Sequence, residues 1–233
     1  MGMAKLAKDK HITRFMKGIF NLRPSLPRYT FTWNVGTVLK YLSQLYPNEN
    51  LSLKMLTLKC IALFALSSAQ RSQTLVNLDL RFVSVTDNSL IFKIPVLLKT
   101  TKPNKSNVDV IIHKYQKQEN CPVRCIKHYI LRTKDVRKSK NLFISFKTFK
   151  HVTTSTIARW LKIVLGNAGI DINKFKSSFR SASTSATKQA GISLNDILKT
   201  ANWRSAYTFQ KFYFKDIETP LPSYTETVFN SYL

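Results

Sequence analysis

Glycine is scarce in this chain, with six in 233 residues. Neither G-x-x-x-x-G-K-S/T nor G-x-G-x-x-G occurs, so no glycine loop is built to cradle a nucleotide phosphate. Acids are few as well: 12 Asp and Glu stand against 37 Lys and Arg. The acids are scattered and H-E-x-x-H is absent, which argues against a metal-dependent nuclease. Three cysteines, an odd number in a long chain, make no disulfide framework. No long apolar run is present. The longest, from Leu56 to Ala69, is broken by Lys59 and falls short of the ~20 residues of a membrane span. The opening MGMAKLAKDKH lacks the apolar core of a signal peptide.

What is abundant is positive charge. The formal net charge is +25 and the pI about 10.2. Hydrophobic residues make up 44% and aromatics 12%, enough for a globular core of one domain, or one domain with a short appendage. A chain so charged repels itself unless it meets a polyanion. Nucleic acid is the leading partner, because Lys and Arg on phosphates release counterions; an anionic membrane surface comes second.

The chain reads as helices, a small meander of strands, then helices again. Residues 1–28 are basic and irregular. Val35, Val38, Leu39, Leu42, Leu45 and Tyr46 repeat at helical spacing over 34–46, and Pro47-Asn48-Glu49-Asn50 ends that run. A second, more apolar helix over 52–69 offers a buried face through Leu53, Leu56, Ile61, Leu63, Phe64 and Leu66. A short helix passes through Leu75 and Leu78. Strands are expected at 82–85, 89–94 and 108–112, with a basic turn holding Lys99, Lys102 and Lys105 before the third. Helices follow at Cys121-Pro122 onward, 153–168, 177–190 (capped by Gly191), 193–200 and 207–215. Leu142 to Phe146 is a short apolar segment. This order is α+β with one main core.

Certain residues stand in a telling order. Arg71 lies in Ala-Gln-Arg-Ser-Gln-Thr-Leu at the junction of two helices. Lys99 and Lys102 lie in a turn between strands. Arg180 lies in Lys-Ser-Ser-Phe-Arg-Ser-Ala, in the first turn of a helix. Trp203 and Tyr213 lie in Asn-Trp-Arg-Ser-Ala-Tyr-Thr-Phe-Gln-Lys-Phe-Tyr. The set resembles the catalytic domain of the tyrosine recombinases, or phage-type integrases, over about residues 10 to 217. Within that family it is most similar to the branch carried by eukaryotic mobile elements such as the Crypton and DIRS-like groups.

The resemblance implies a mainly helical DNA breaking-rejoining catalytic domain with a small three-stranded antiparallel sheet. It implies a Tyr213 phenol attacking a DNA phosphodiester to give a 3′-phosphotyrosine link, which a strand hydroxyl later reverses without ATP or metal. Arg71 and Arg180 are implied to clamp the non-bridging oxygens, each guanidinium able to donate two parallel hydrogen bonds. Lys99, with Lys102 close behind, is implied to protonate the leaving 5′-oxygen. Trp203 stands where the family has His or Trp. Ser177 stands where the family usually has His, three residues before the second arginine; a hydroxyl is a poor general base, and such help is worth about 10²–10⁴ in rate. Lys176 is adjacent. The family's acid after the first arginine is missing, Thr74 being nearest. Residues 1–50 read as the remnant of an N-terminal helical core-binding domain, 51–217 as the catalytic domain and 218–233 as a C-terminal tail. So short a leading segment implies a truncated or decayed copy.

Expected partners are double-stranded DNA and further copies of the chain, as a dimer or tetramer, with Leu221, Val228, Phe229 and Leu233 available to pack on a neighbour. No cofactor, metal, small-molecule substrate or membrane is expected, and the kind of element resembled implies the nucleus. Two rivals share the residues: a DNA-binding module that has lost turnover, suggested by Ser177 and the short N-terminus, and a type IB topoisomerase-like activity. Other assignments compete locally. A tyrosine on an amphipathic helix is ordinarily half-buried packing, and Tyr207 is the alternative nucleophile, though too near Trp203 for the family's pattern. Cys121-x₃-Cys125 with His128 and distant His113 departs from common zinc spacing; Cys121-Pro122 reads better as a buried thiol beside an N1 proline.

Overall fold

The computed structural model describes residues 9–23, 30–96, 108–175, 178–203 and 205–217. Two compact units are present, Met1–Thr30 and Phe31–Leu233. The first holds helix α1 (Lys10–Leu22), so the stretch expected to be irregular is helical. The Asp9 carboxylate caps it, accepting from the backbone N–H groups of His11 at 2.8 Å and Ile12 at 3.2 Å. Ile12, Phe15, Met16, Ile19 and Phe20 follow the spacing i, i+3, i+4, i+7, i+8. Interleaved basic residues mask that period.

The second unit is mainly helical, with a three-stranded antiparallel sheet. Its elements are β1 (Phe31–Thr32), α2 (Val35–Gln44), α3 (Leu53–Ser68), α4 (Ser72–Val76), β2 (Val83–Val85), β3 (Ser89–Phe92), β4 (Val110–His113), α5 (Pro122–Thr133), α6 (Thr154–Asn167), α7 (Phe179–Gln189), α8 (Leu194–Thr200), α9 (Ala206–Phe212) and β5 (Asp216–Ile217). In the sheet β2-β3-β4, Val83 faces Phe92, and Phe92 faces Val110 in turn. Leu90, Phe92, Val110 and Ile112 point into the core, while Ile111 points out, as the two-residue period of a half-buried sheet requires. The turn bearing Lys99, Lys102 and Lys105 lies outside the described residues.

Helix α3 is the hub. Ser52 caps it, accepting from the Met55 N–H at 3.3 Å. The expected single buried face is not what forms: every residue from Leu56 to Ala65 is buried, because α5, α6, α7 and β4 surround the helix. Even Lys59 is inside. Its Nζ donates to the Leu45 carbonyl at 2.5 Å and to Asn48 Oδ1 at 3.0 Å, so the buried ammonium is satisfied by oxygens, while burial lowers its pKa. Phe64 meets Phe92 and Phe143 edge-on, with centroids 5.4 and 5.8 Å away. Trp33, Val38 and Leu42 belong to the same core, so α2 packs together with elements built from residues beyond position 51.

Two local readings hold in detail. Pro122 opens α5 with Cys121 buried before it. Helix α7 begins at Phe179, two residues later than the expected 177, where Ser178 caps it by accepting from the Ser181 N–H at 3.2 Å. Gly191, at φ +87°, ends α7 in a Schellman turn: Ile192 N–H reaches the Thr187 carbonyl and Gly191 N–H the Lys188 carbonyl. The parallel pair β1–β5, joining Phe31 to Asp216 and Thr32 to Ile217, has no counterpart among the expected strands. A strand of two residues carries no period to read.

Phe64→Ala is expected to lower stability by about 3–5 kcal/mol, the usual cost of truncating a buried aromatic. Urea unfolding measures this; a loss below about 1 kcal/mol would contradict the hub assignment.

Candidate active site

The site is built where α3 and α8 end. Ala69 closes α3 in the left-handed conformation, at φ +51°, and Arg71 then stands extended as the residue before α4. Between them Gln70 is buried. Its Nε2 donates to the Thr200 carbonyl at 2.8 Å and to the Ser68 carbonyl at 3.3 Å, tying the end of α3 to the end of α8.

Helix α8 ends in a Schellman turn of its own. Asn202 is left-handed at φ +51°, its N–H reaches the Lys199 carbonyl at 3.1 Å, and the Trp203 N–H reaches the Leu198 carbonyl at 2.8 Å. Asparagine tolerates this conformation better than most residues. The turn delivers Trp203 to the site and leaves the Thr200 and Ala201 carbonyls for other donors. Gln70 takes the first. Arg180 Nη2 takes the second. A guanidinium against the negative end of a helix is electrostatically favoured.

Arg180 is the second residue of α7, as its sequence context indicates, and only 4% exposed. Its Cζ lies 4.1 Å from the centroid of the Trp203 ring and 5.4 Å from that of Tyr213; the two rings are 4.6 Å apart. Burial first, then repulsion from Arg71, push the Arg180 pKa down to about 9, while Tyr213 acts in the opposite sense. At neutral pH the group remains a cation. Arg71, Arg180, Trp203 and Tyr213 are therefore brought together. Two buried donors there, Arg180 Nε and Trp203 Nε1, have no hydrogen-bond partner among the described residues. Two adjacent cations and two unused N–H groups suit an anion with several oxygens.

Tyr213 is not on the last helix as expected. Helix α9 stops at Phe212 and Tyr213 is its capping residue, its N–H and that of Phe214 both reaching the Phe209 carbonyl. Its ring is half-buried on a small second core of Ala69, Ile197, Ala201, Trp203 and Phe209. Tyr207, the alternative nucleophile, is exposed, and its hydroxyl accepts from Lys211 Nζ at 2.8 Å. Lys99, Lys102, Lys176 and Ser177 lie outside the described residues, as does the tail 218–233. Among the described residues no three His, Cys, Asp or Glu gather as metal ligands; His128 Nδ1 instead lies 3.7 Å from Glu49 Oε1.

Sequence reasoning misses Gln70 and two serines of α7. Gln70 stands beside Arg71, but nothing in sequence pairs it with a carbonyl 130 positions on. Ser181 and Ser185 are visible as part of a Ser/Thr-rich helix, and their four-residue spacing is the signal that puts both on one side.

No family model matches the chain, and neither does any curated protein. Solved structures do. The XerH site-specific recombinase bound to its difH substrate matches with a TM-score of 0.59 at 11% identity, over 78% of this chain and 49% of that one. XerA recombinase matches with a TM-score of 0.58 at 17% identity, over 90% and 66%. A lambda integrase tetramer bound to a Holliday junction matches with a TM-score of 0.50 at 14% identity, over 86% and 52%. The fold is thus that of the tyrosine-recombinase and phage-integrase catalytic domain. The chain spans 49% to 66% of the length of the first recombinases it matches.

The turn that delivers Trp203 yields a direct expectation. Asn202→Gly keeps stability within about 0.5 kcal/mol, whereas Asn202→Val, strained at positive φ, loses about 1–3 kcal/mol in chemical unfolding. Equal stability of the two variants would contradict the turn.

Proposed function

We propose that this chain is a DNA strand-transfer enzyme of the tyrosine recombinase kind, from a mobile element. The observation that carries the reading is the buried Arg180 guanidinium, boxed by Trp203 and Tyr213, with Arg71's charge beside it and unused N–H donors. In the proposed step the Tyr213 oxygen attacks a DNA phosphorus and loses its proton to solvent water. The bond from phosphorus to the 5′-oxygen breaks, and a 3′-phosphotyrosine bond replaces it. Arg71 and Arg180 hold the non-bridging oxygens, on which negative charge builds in the transition state, and Trp203 Nε1 donates to one of them. The departing 5′-oxygen takes a proton from Lys99 or, failing that, Lys102. A strand hydroxyl attacking the phosphotyrosine runs the step in reverse.

The excess of 37 basic over 12 acidic residues supports double-stranded DNA as the partner, with affinity falling steeply as salt rises. A dimer or tetramer on DNA is proposed by analogy with the lambda integrase tetramer on its junction. The contexts of Arg71, Arg180 and Trp203 support the eukaryotic mobile-element branch, and with it action in the nucleus. One observation favours a second reading, a DNA-binding module without turnover: Ser177 occupies the position where the family has histidine.

A pool of duplexes carrying 5′-bridging phosphorothiolates separates the two, because a sulfur leaving group needs little proton donation. Wild type is expected to give a covalent adduct on a denaturing gel, and Tyr213→Phe none. An adduct retained in Tyr213→Phe would overturn the nucleophile. No adduct from folded, DNA-bound wild type would favour the binding module.

A further inference from the structure

Helix α7 does more than present Arg180. Ser181, the next residue, donates its hydroxyl to the Tyr213 carbonyl at 2.6 Å. Ser185, one turn on, donates to the same carbonyl at 3.1 Å. Both serines are buried, at 3% and 0% exposure. The Ser185 oxygen also accepts the Lys215 N–H at 3.0 Å. A carbonyl oxygen has two lone pairs, and here each meets a hydroxyl. A little further along the chain, β5 pairs with β1. The backbone at Tyr213 is therefore gripped on its C-terminal side, where α9 has already ended.

We infer that Ser181 and Ser185 are positioning residues that fix the Tyr213 backbone to the helix carrying Arg180. The inference rests on the proposed function for what Tyr213 does, but the grip itself is a contact between two elements. Its consequence comes from the chemistry. Attack on phosphorus requires the phenol oxygen in line with the leaving oxygen, and an error near 1 Å costs about 10²-fold. Arg180 and Tyr213 lie far apart in sequence, so the join between them must be braced. The hydroxyl pair braces it through a single helix: Arg180 side chain and Tyr213 main chain are referenced to neighbouring residues of α7. A backbone grip leaves the phenol free to rotate about its own bonds, toward phosphorus before attack and with it afterward. Neither serine is placed in contact with the phosphate, so neither is a catalytic residue.

Serine to alanine is mild in a helix, alanine being the better helix former, so Ser181→Ala, Ser185→Ala and the double variant keep α7. Two readouts on the full chain test the inference. The first is hydrogen–deuterium exchange without DNA: the double variant is expected to exchange faster across 213–217, with α5 unchanged. The second is the single-turnover rate of adduct formation on the bridging-phosphorothiolate duplex pool, set beside affinity for the same pool. The double variant is expected to slow adduct formation by about tenfold or more while affinity stays within about twofold. Ser181→Thr, which restores a hydroxyl, is expected to recover most of the rate lost in Ser181→Ala. Unchanged exchange across 213–217 in the double variant would overturn the grip. A rate loss matched by an equal loss of affinity, or no rescue by threonine, would overturn its positioning role. If wild type forms no adduct, the proposed function fails, and the exchange measurement alone decides whether the grip exists.

Discussion

A guanidinium buried to 4% exposure must be held by something, and here it is the C-terminus of α8. Taking such a charge out of water costs several kcal/mol. The Ala201 carbonyl returns part of this through a charge-assisted hydrogen bond, and the Trp203 ring returns about 2 kcal/mol more as a desolvated cation–π contact. The compensation is incomplete, because Nε still lacks a partner among the described residues and Arg71 repels from nearby. A site left short of negative charge is one that gains from an anion. Arg180 is thus stable enough to be placed and unsatisfied enough to bind.

The rest of the unit serves that placement. The main core around α3 ends at Ala69, which belongs instead to the small second core under Trp203. Gln70 bridges the two ends by hydrogen bond, and Arg71 comes at once after it. Packing and site meet over three consecutive residues. On the far side, β1 and β5 return the chain after Tyr213 to the start of the unit, close in sequence to Trp33, whose ring meets Phe179 edge-on at 5.0 Å. Phe179 is the residue before Arg180. The Trp33 ring therefore packs against the first turn of the helix that carries Arg180.

Much of this is legible in the amino-acid sequence. The helices with clear periods, the cap at Gly191, the opening of α5 at Pro122, and the alternation in β3 and β4 all obey local rules of spacing and turn chemistry. The positions of Arg71 before a short helix and of Arg180 in a first turn are equally visible. Other features are not. Helix α1 escapes notice because its basic residues outweigh a correct apolar period. The complete burial of Leu56–Ala65 depends on how many neighbours surround α3, which no window of sequence reports. The end of α9 at Phe212 is set by contacts of Tyr213 with α7, and the bond from Gln70 to Thr200 spans the fold. Sequence reasoning runs out at the long-range partners of polar side chains.

The most direct test of the central claim watches the two unused donors. In the ¹⁵N-labelled 233-residue chain, the indole N–H of Trp203 and the Nε–H of Arg180 can be assigned by loss of signal in Trp203→Phe and Arg180→Lys. On adding a short duplex, both resonances should move downfield as they acquire phosphate oxygens. If the protein binds the duplex, as other signals report, and neither donor moves, the phosphate does not sit at Arg180 and the account is wrong.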